Sequence, residues 1–212
     1  MSGRYPVMLD VSRLRVLVVG GGEVALRKVR GVIDAGGKPS VLSPTVVPEL
    51  ERLVAQHGLD WRSRRYEDGD VRGFTLVFAA TDVPEVNDAV AREAEAAGAL
   101  VNAADDGADS TFHVPAVIRR ADVVVALSTG GASPLLSRRL RERLEAVVTP
   151  ALGRTATRLA DVRDRVRQRW PADEARRRDA WFSLVTPEFL DAAIAGRDAE
   201  VEHRIDRCLS QS

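Results

Sequence analysis

The segment Gly20-Gly21-Gly22-Glu23-Val24-Ala25 carries the most specific chemistry in the chain. It fits G-x-G-x-x-A, in which Gly20 permits a tight turn, Gly22 lets a pyrophosphate approach the backbone, and Ala25 is small enough for close helix–strand packing. Amides at Glu23, Val24 and Ala25, together with the dipole of the helix they open, make an anion site. A glycine-rich turn that binds nothing has the same pattern, so the surrounding elements have to decide. Ser128-Thr129-Gly130-Gly131 is a second small-residue turn. Its amides and hydroxyls can hold carboxylates ahead of a helix starting at Ser133, and an ordinary strand-to-helix connection reads the same way.

The glycine turn follows a β-branched run over 14–19 and precedes a helical pattern over 23–35 that stops at Gly36-Gly37. Strands are expected at 39–42, 59–64, 74–80 and 99–103, with helices at 46–57 and 84–97 between them. Pro48 and Glu49 suit the first turn of the 46–57 helix. This alternation predicts an α/β fold with an N-terminal Rossmann-like, doubly wound parallel sheet, and it favours dinucleotide binding at the glycine turn. The second strand ends Val41-Leu42-Ser43-Pro44-Thr45, without the Asp or Glu that accepts from the adenine-side ribose in many such folds. A hydroxyl or backbone group of Ser43, Pro44 or Thr45 has to take that role. No arginine lies at 43–47 to mark a ribose 2′-phosphate, which favours NAD over NADP without deciding between them. After Asp105 the rhythm changes. A β run at 122–127 leads through the second small-residue turn into a helix at 133–147, and from Pro150 onward only helical stretches follow. These include a stripe at Leu159, Val162 and Val166, a break at Trp170-Pro171, and a helix from Pro187 through Ile194.

With 212 residues, 45% hydrophobic and 29% charged, the composition is that of a folded globular chain. Lys+Arg and Asp+Glu are 31 each, so no whole-protein basic field for nucleic acid exists. Cys208 is the lone cysteine, which excludes an internal disulfide and a four-cysteine zinc site in one chain. No apolar run approaches the roughly 20 residues that span a bilayer, and the first residues lack a signal-peptide core. A cytoplasmic protein without membrane or nucleic-acid partners is expected. Lys28 and Lys38 are the only lysines, so arginine supplies nearly all the positive charge.

At the level of motifs the chain resembles a known family. Tyr5-Pro6-Val7-Met8-Leu9-Asp10 and Arg15 through Lys28 resemble the start of siroheme synthases, in particular their precorrin-2 dehydrogenase/sirohydrochlorin ferrochelatase module. Four further stretches agree in order and spacing: Ala79-Ala80-Thr81-Asp82 with Val86-Asn87; Val101-Asn102-Ala103-Ala104-Asp105; Phe112 with Pro115-Ala116; and Ser128 through Pro134. Arg176-Arg177-Arg178 and Trp181-Phe182 extend the likeness into the tail. The resemblance implies an NAD-binding Rossmann domain over 1–113, a small α/β dimerisation domain over 114–149 and a C-terminal helical domain over 150–212, assembled as a homodimer. Larger siroheme synthases carry a further methyltransferase domain, for which this length leaves no room, so methylation is expected to fall to another protein.

The implied reaction oxidises precorrin-2 to sirohydrochlorin with NAD, with or without a following insertion of Fe2+ as a second substrate. The sequence does not decide between the dehydrogenase alone and both steps. Proton transfer suits a carboxylate at the C-terminal edge of the sheet. Asp105, directly after the fifth strand, is the expected general base by position and by the family pattern, with Asp106 next in line. The resemblance also places Thr81 and Asp82 in cofactor binding, and Asn102, Ser128, Thr129, Gly130 and Gly131 in binding the tetrapyrrole substrate. Arg119, Arg120, Arg138 and Arg139 flank that second turn, and guanidinium forks suit a carboxylate-rich ligand, although surface arginines are more often solvated. His57 and His203 are expected at the surface, and His113 either packs or assists proton or metal transfer. No bound protein metal is expected. Two other readings stay open: another NAD-dependent oxidoreductase, and a non-catalytic NAD-sensing Rossmann module.

Overall fold

The computed structural model describes residues 4–104 and 110–210. They form two compact units, Met1–Val114 and Pro115–Ser212. In the first, β1 (Val16–Val19), α1 (Glu23–Asp34), β2 (Ser40–Leu42), α2 (Pro48–His57), β3 (Trp61–Arg62), β4 (Leu76–Ala79), α3 (Pro84–Ala96) and β5 (Leu100–Ala103) alternate as the sequence pattern predicts. All strand pairs are parallel, in the order β3-β2-β1-β4-β5. β1 and β4 are central and covered on both faces, hence their unbroken apolar runs. Val16 and Val18 face α1 and α2 with Leu50 and Phe78, whereas Leu17 and Val19 face the α3 side with Val90 and Ala94. Ala25, Leu26, Val29 and Val32 bury one stripe of α1. The chain leaves β1 toward β2 on one side and returns at β4 on the other. This reversal places the loops after β1, β2 and β4 together at the C-terminal edge, where such sheets bind ligands.

The second unit begins with an antiparallel pair, β6 (Ala116–Arg120) and β7 (Val123–Leu127), followed by α4 (Pro134–Glu145) and α5 (Pro150–Arg169). It then continues as α6 (Glu174–Leu184), α7 (Pro187–Ala195) and α8 (Asp198–Ser210). Val162 and Val166 of the predicted stripe are buried with Phe189, Val201 and Ile205. Thr149, Asp173 and Thr186 cap the starts of α5, α6 and α7 by accepting from Leu152, Arg176 and Phe189 amides. β6 and α6 are absent from the sequence expectation. Among the described residues, no helix is long and apolar enough to cross a membrane.

Candidate functional site

The turn after β1 is built so that each glycine answers a different constraint. Gly20 has φ +129°, and a Cβ there would lie 2.2 Å from the Ala80 carbonyl oxygen, so the turn rests directly on the β4 exit. A Cβ on Gly21 would lie 1.9 Å from the Thr45 carbonyl oxygen, and the Gly21 carbonyl accepts from the Val47 amide at 2.8 Å. The loop after β2 therefore closes over Gly21. At Gly22 the reverse holds: φ is −86°, nothing lies within 4 Å of a built Cβ, and no side chain caps α1. Open space thus adjoins the uncapped start of α1 at Glu23, Val24 and Ala25. Open space beside an uncapped helix N-terminus suits a pyrophosphate.

In the loop after β2, the Ser43 hydroxyl donates to the Thr45 carbonyl at 2.7 Å, and the Ser43 carbonyl accepts from the Trp61 indole at 2.9 Å. Ser63 anchors the same loop by donating to the Pro44 carbonyl at 3.1 Å. Ser43 is buried and shapes the loop, while Pro44 and Thr45 are exposed at the sheet edge. Across the turn, after β4, the hydroxyl, amide and carbonyl of Thr81 are all engaged by Asn87 or Val83. Asp82, beside it, is exposed.

The end of β5 is pinned by a polar ladder. Thr111 Oγ1 accepts from the Val101 amide at 2.8 Å, and Ser110 Oγ accepts from the Ala103 amide at 3.0 Å. Asn102 is 7% exposed and donates to the Phe112 carbonyl at 3.2 Å. Its Oδ1 accepts from Lys28 Nζ at 2.7 Å, and that ammonium also lies 5.5 Å from the Phe78 ring centroid. Phe78 in turn meets Phe112 edge-on at 5.5 Å. Burial, and secondarily Arg27, lowers the Lys28 ammonium below its ordinary range. The structure thus commits the Asn102 amide to holding α1, β5 and the Phe112 segment together. Asp105 and Asp106 lie outside the described residues.

In the second unit, the Ser128 to Gly131 turn joins β7 to α4, with Gly130 at φ +65° and Gly131 at φ +88°. Ser128 Oγ accepts from the Gly130 amide, Thr129 Oγ1 meets Ser137 Oγ at 2.9 Å, and Ser133 caps α4. Arg138 and Arg139 pair with Glu142 on exposed helix surface. His57 and His203 are exposed. His113 is half-buried; burial, and secondarily Arg4, pushes its imidazole below the ordinary value, which favours the neutral form. Among the described residues, no group of three His, Cys, Asp or Glu side chains could hold a metal ion.

Sequence reasoning assigned no role to Asn87 or Lys28. Both fall in the motif stretches that carry the family resemblance, and an asparagine among the apolar positions of α3 and one of two lysines in an arginine-rich chain were further signals.

Residues 7–116 match the family described as putative NAD(P)-binding, and residues 125–146 match the central family of sirohaem biosynthesis proteins. The chain is 41% identical over 205 residues to a siroheme synthase of Chromobacterium violaceum, covering 95% of this chain and 43% of that protein. It is 40% identical over 193 residues to siroheme synthase 1 of Aeromonas salmonicida, covering 91% and 41%. It therefore spans less than half the length of these relatives. A solved structure titled SirC, precorrin-2 dehydrogenase, superimposes with a TM-score of 0.79 at 27% identity, over 96% of this chain and all of that one. With more than half of its residues matched, the chain belongs to the family described as putative NAD(P)-binding.

Proposed function

We propose that this chain is an NAD-dependent precorrin-2 dehydrogenase of siroheme biosynthesis, acting as a cytoplasmic homodimer. The observation that carries the reading is the likeness to a chain titled precorrin-2 dehydrogenase over the whole of that chain's length. The open, uncapped turn at Gly22 supports it, because a dinucleotide needs that space. Bound NAD supplies the hydride acceptor. The chain supplies the rest: Gly20 to Ala25 receive the pyrophosphate, Pro44 and Thr45 the adenine-side ribose, and the turn at Asp82 the other half. Oxidation removes one hydride and one proton from precorrin-2, and the proton passes to Asp105 as general base. Ser128 to Gly131 and the neighbouring arginines receive substrate carboxylates.

The expected parts take their roles in this reading: 1–113 holds the dinucleotide, 114–149 pairs two copies and 150–212 supports them. Pairing is favoured by α4, which buries no residue of its own and exposes Leu135, Leu136 and Leu140. Insertion of Fe2+ as a second substrate belongs to the reading on the strength of the relatives titled siroheme synthase.

The test is an anaerobic incubation with precorrin-2, adding NAD and then Fe2+ or Co2+. Sirohydrochlorin appearing only with NAD supports the dehydrogenase, and metal insertion above the protein-free rate adds the second step. A folded protein that gives no NAD-dependent change refutes the proposal.

A further inference from the structure

We infer that Asn87 is a positioning residue for the nicotinamide half of the dinucleotide, acting through the Ala80-Thr81-Asp82 turn. Asn87 is 2% exposed, in the first turns of α3. Its Oδ1 accepts from the Thr81 amide at 3.1 Å and from the Thr81 hydroxyl at 2.8 Å, and its Nδ2 donates to the Thr81 carbonyl at 3.1 Å. A single side chain thus engages three polar groups of one residue. The Thr81 hydroxyl also accepts from the Val83 amide at 3.2 Å. Thr81 is left to act on a ligand through the shape of its turn.

That turn begins where β4 packs against the glycine turn. The space beside Gly20 is filled by the Ala80–Thr81 peptide, 2.2 Å from a built Cβ at the carbonyl oxygen and 3.1 Å at the Thr81 nitrogen. Ala80 itself is held by the sheet, its amide donating to the Val19 carbonyl at 2.7 Å, so Asn87 governs the turn beyond it, at Thr81 and Asp82, and leaves the Gly20 side in place. The loop after β2 serves the adenine-side ribose in this fold. The loop after β4, on the other side of β1, therefore faces the other half of the dinucleotide, with the exposed Asp82 carboxylate available to accept from ribose hydroxyls. The inference rests on the glycine turn being the dinucleotide site, and it adds a residue that touches no cofactor.

The experiment is calorimetric titration of the full chain with NADH and, separately, with ADP, which lacks the nicotinamide riboside. Asn87→Ala should raise the Kd for NADH about tenfold, the weight of one or two hydrogen bonds. The ADP affinity should stay within about twofold, as for separated sites. Should Asn87→Ala fail to fold, Thr81→Val replaces the hydroxyl that bonds Asn87 and Val83 with a methyl and should shift NADH in the same direction, while Thr81→Ser keeps the hydroxyl and should restore the NADH affinity that Thr81→Val loses. Loss of NADH and ADP affinity together, or of neither, overturns the role of Asn87. Wild-type protein that binds neither ligand overturns the dinucleotide site itself.

Discussion

Gly22→Asp separates the stability of the glycine turn from its use. Gly22 occupies the N-cap position of α1 with φ −86°, accessible to any residue, and nothing lies within 4 Å of a built Cβ. Aspartate is among the best N-cap residues, and α1 has no side-chain cap. The substitution should therefore leave the fold unchanged or stabilise it by a few tenths of a kcal/mol, up to about 1 kcal/mol. For a unit of this size that is a melting temperature equal to the wild type or a few degrees higher. The same carboxylate takes the amides a pyrophosphate needs and puts a like charge beside it. At separations of about 4–5 Å near a protein surface this costs roughly 1–3 kcal/mol, or a 5- to 150-fold weaker NADH affinity. The assay is a thermal melt with and without NADH, paired with a fluorescence titration. Ligand-induced stabilisation should vanish while the ligand-free melt holds. Undiminished NADH affinity would refute the pyrophosphate site, and a ligand-free melt several degrees lower would refute the open geometry at Gly22.

Three further outcomes are expected. Gly20→Ala should behave oppositely to Gly22→Asp, because φ +129° and the 2.2 Å approach to the Ala80 carbonyl together cost about 2–5 kcal/mol; a ligand-free melt within a degree of wild type would contradict this. Asp70 accepts a fork from Arg64 at 2.7 and 2.5 Å, which holds its carboxyl below the ordinary value. Its contribution is present above the ordinary carboxylate range and is lost as pH falls through the lowered value, so Asp70→Asn should cost about 1 kcal/mol at neutral pH, since Arg64 is 41% exposed and solvent screens the pair. Urea denaturation should show that gap closing in acid, and a gap that widens would reverse the assignment. On the proposed role of Asp105 as general base, Asp105→Ala should keep NADH affinity and lose most precorrin-2 oxidation, and full turnover in that variant would remove Asp105 from the chemistry.

The parallel sheet was legible because its strands are buried on both faces and are written as short apolar runs ending at glycine or polar turns. Val16 to Val19 before Gly20 is the clearest case. β6 was not legible: Ala116 to Arg120 ends in two arginines, and its strand character comes from antiparallel pairing with β7 across the turn at Ala121. α6 was missed because Glu174 to Leu184 buries only Leu184, so no apolar stripe announces it. At the site, residue types could be read but not the direction of their bonds. Ser43 and Thr81 are expected at the cofactor, and the structure adds that each hydroxyl donates within the protein's own turns. The resemblance places Asn102 at the substrate, and the structure adds that Lys28 and Phe112 engage its amide across 74 and 10 residues of sequence. Such long-range pairings leave no periodicity for a single sequence to display.

The most direct test of the account counts NADH and sirohydrochlorin together, under anaerobic conditions, for the wild type and Gly22→Asp side by side. The wild type should form the two products in equal amounts, and Gly22→Asp, though folded, should form little of either. Sirohydrochlorin accumulating without NADH, or at an undiminished rate in Gly22→Asp, would contradict the claim that the turn after β1 serves this oxidation.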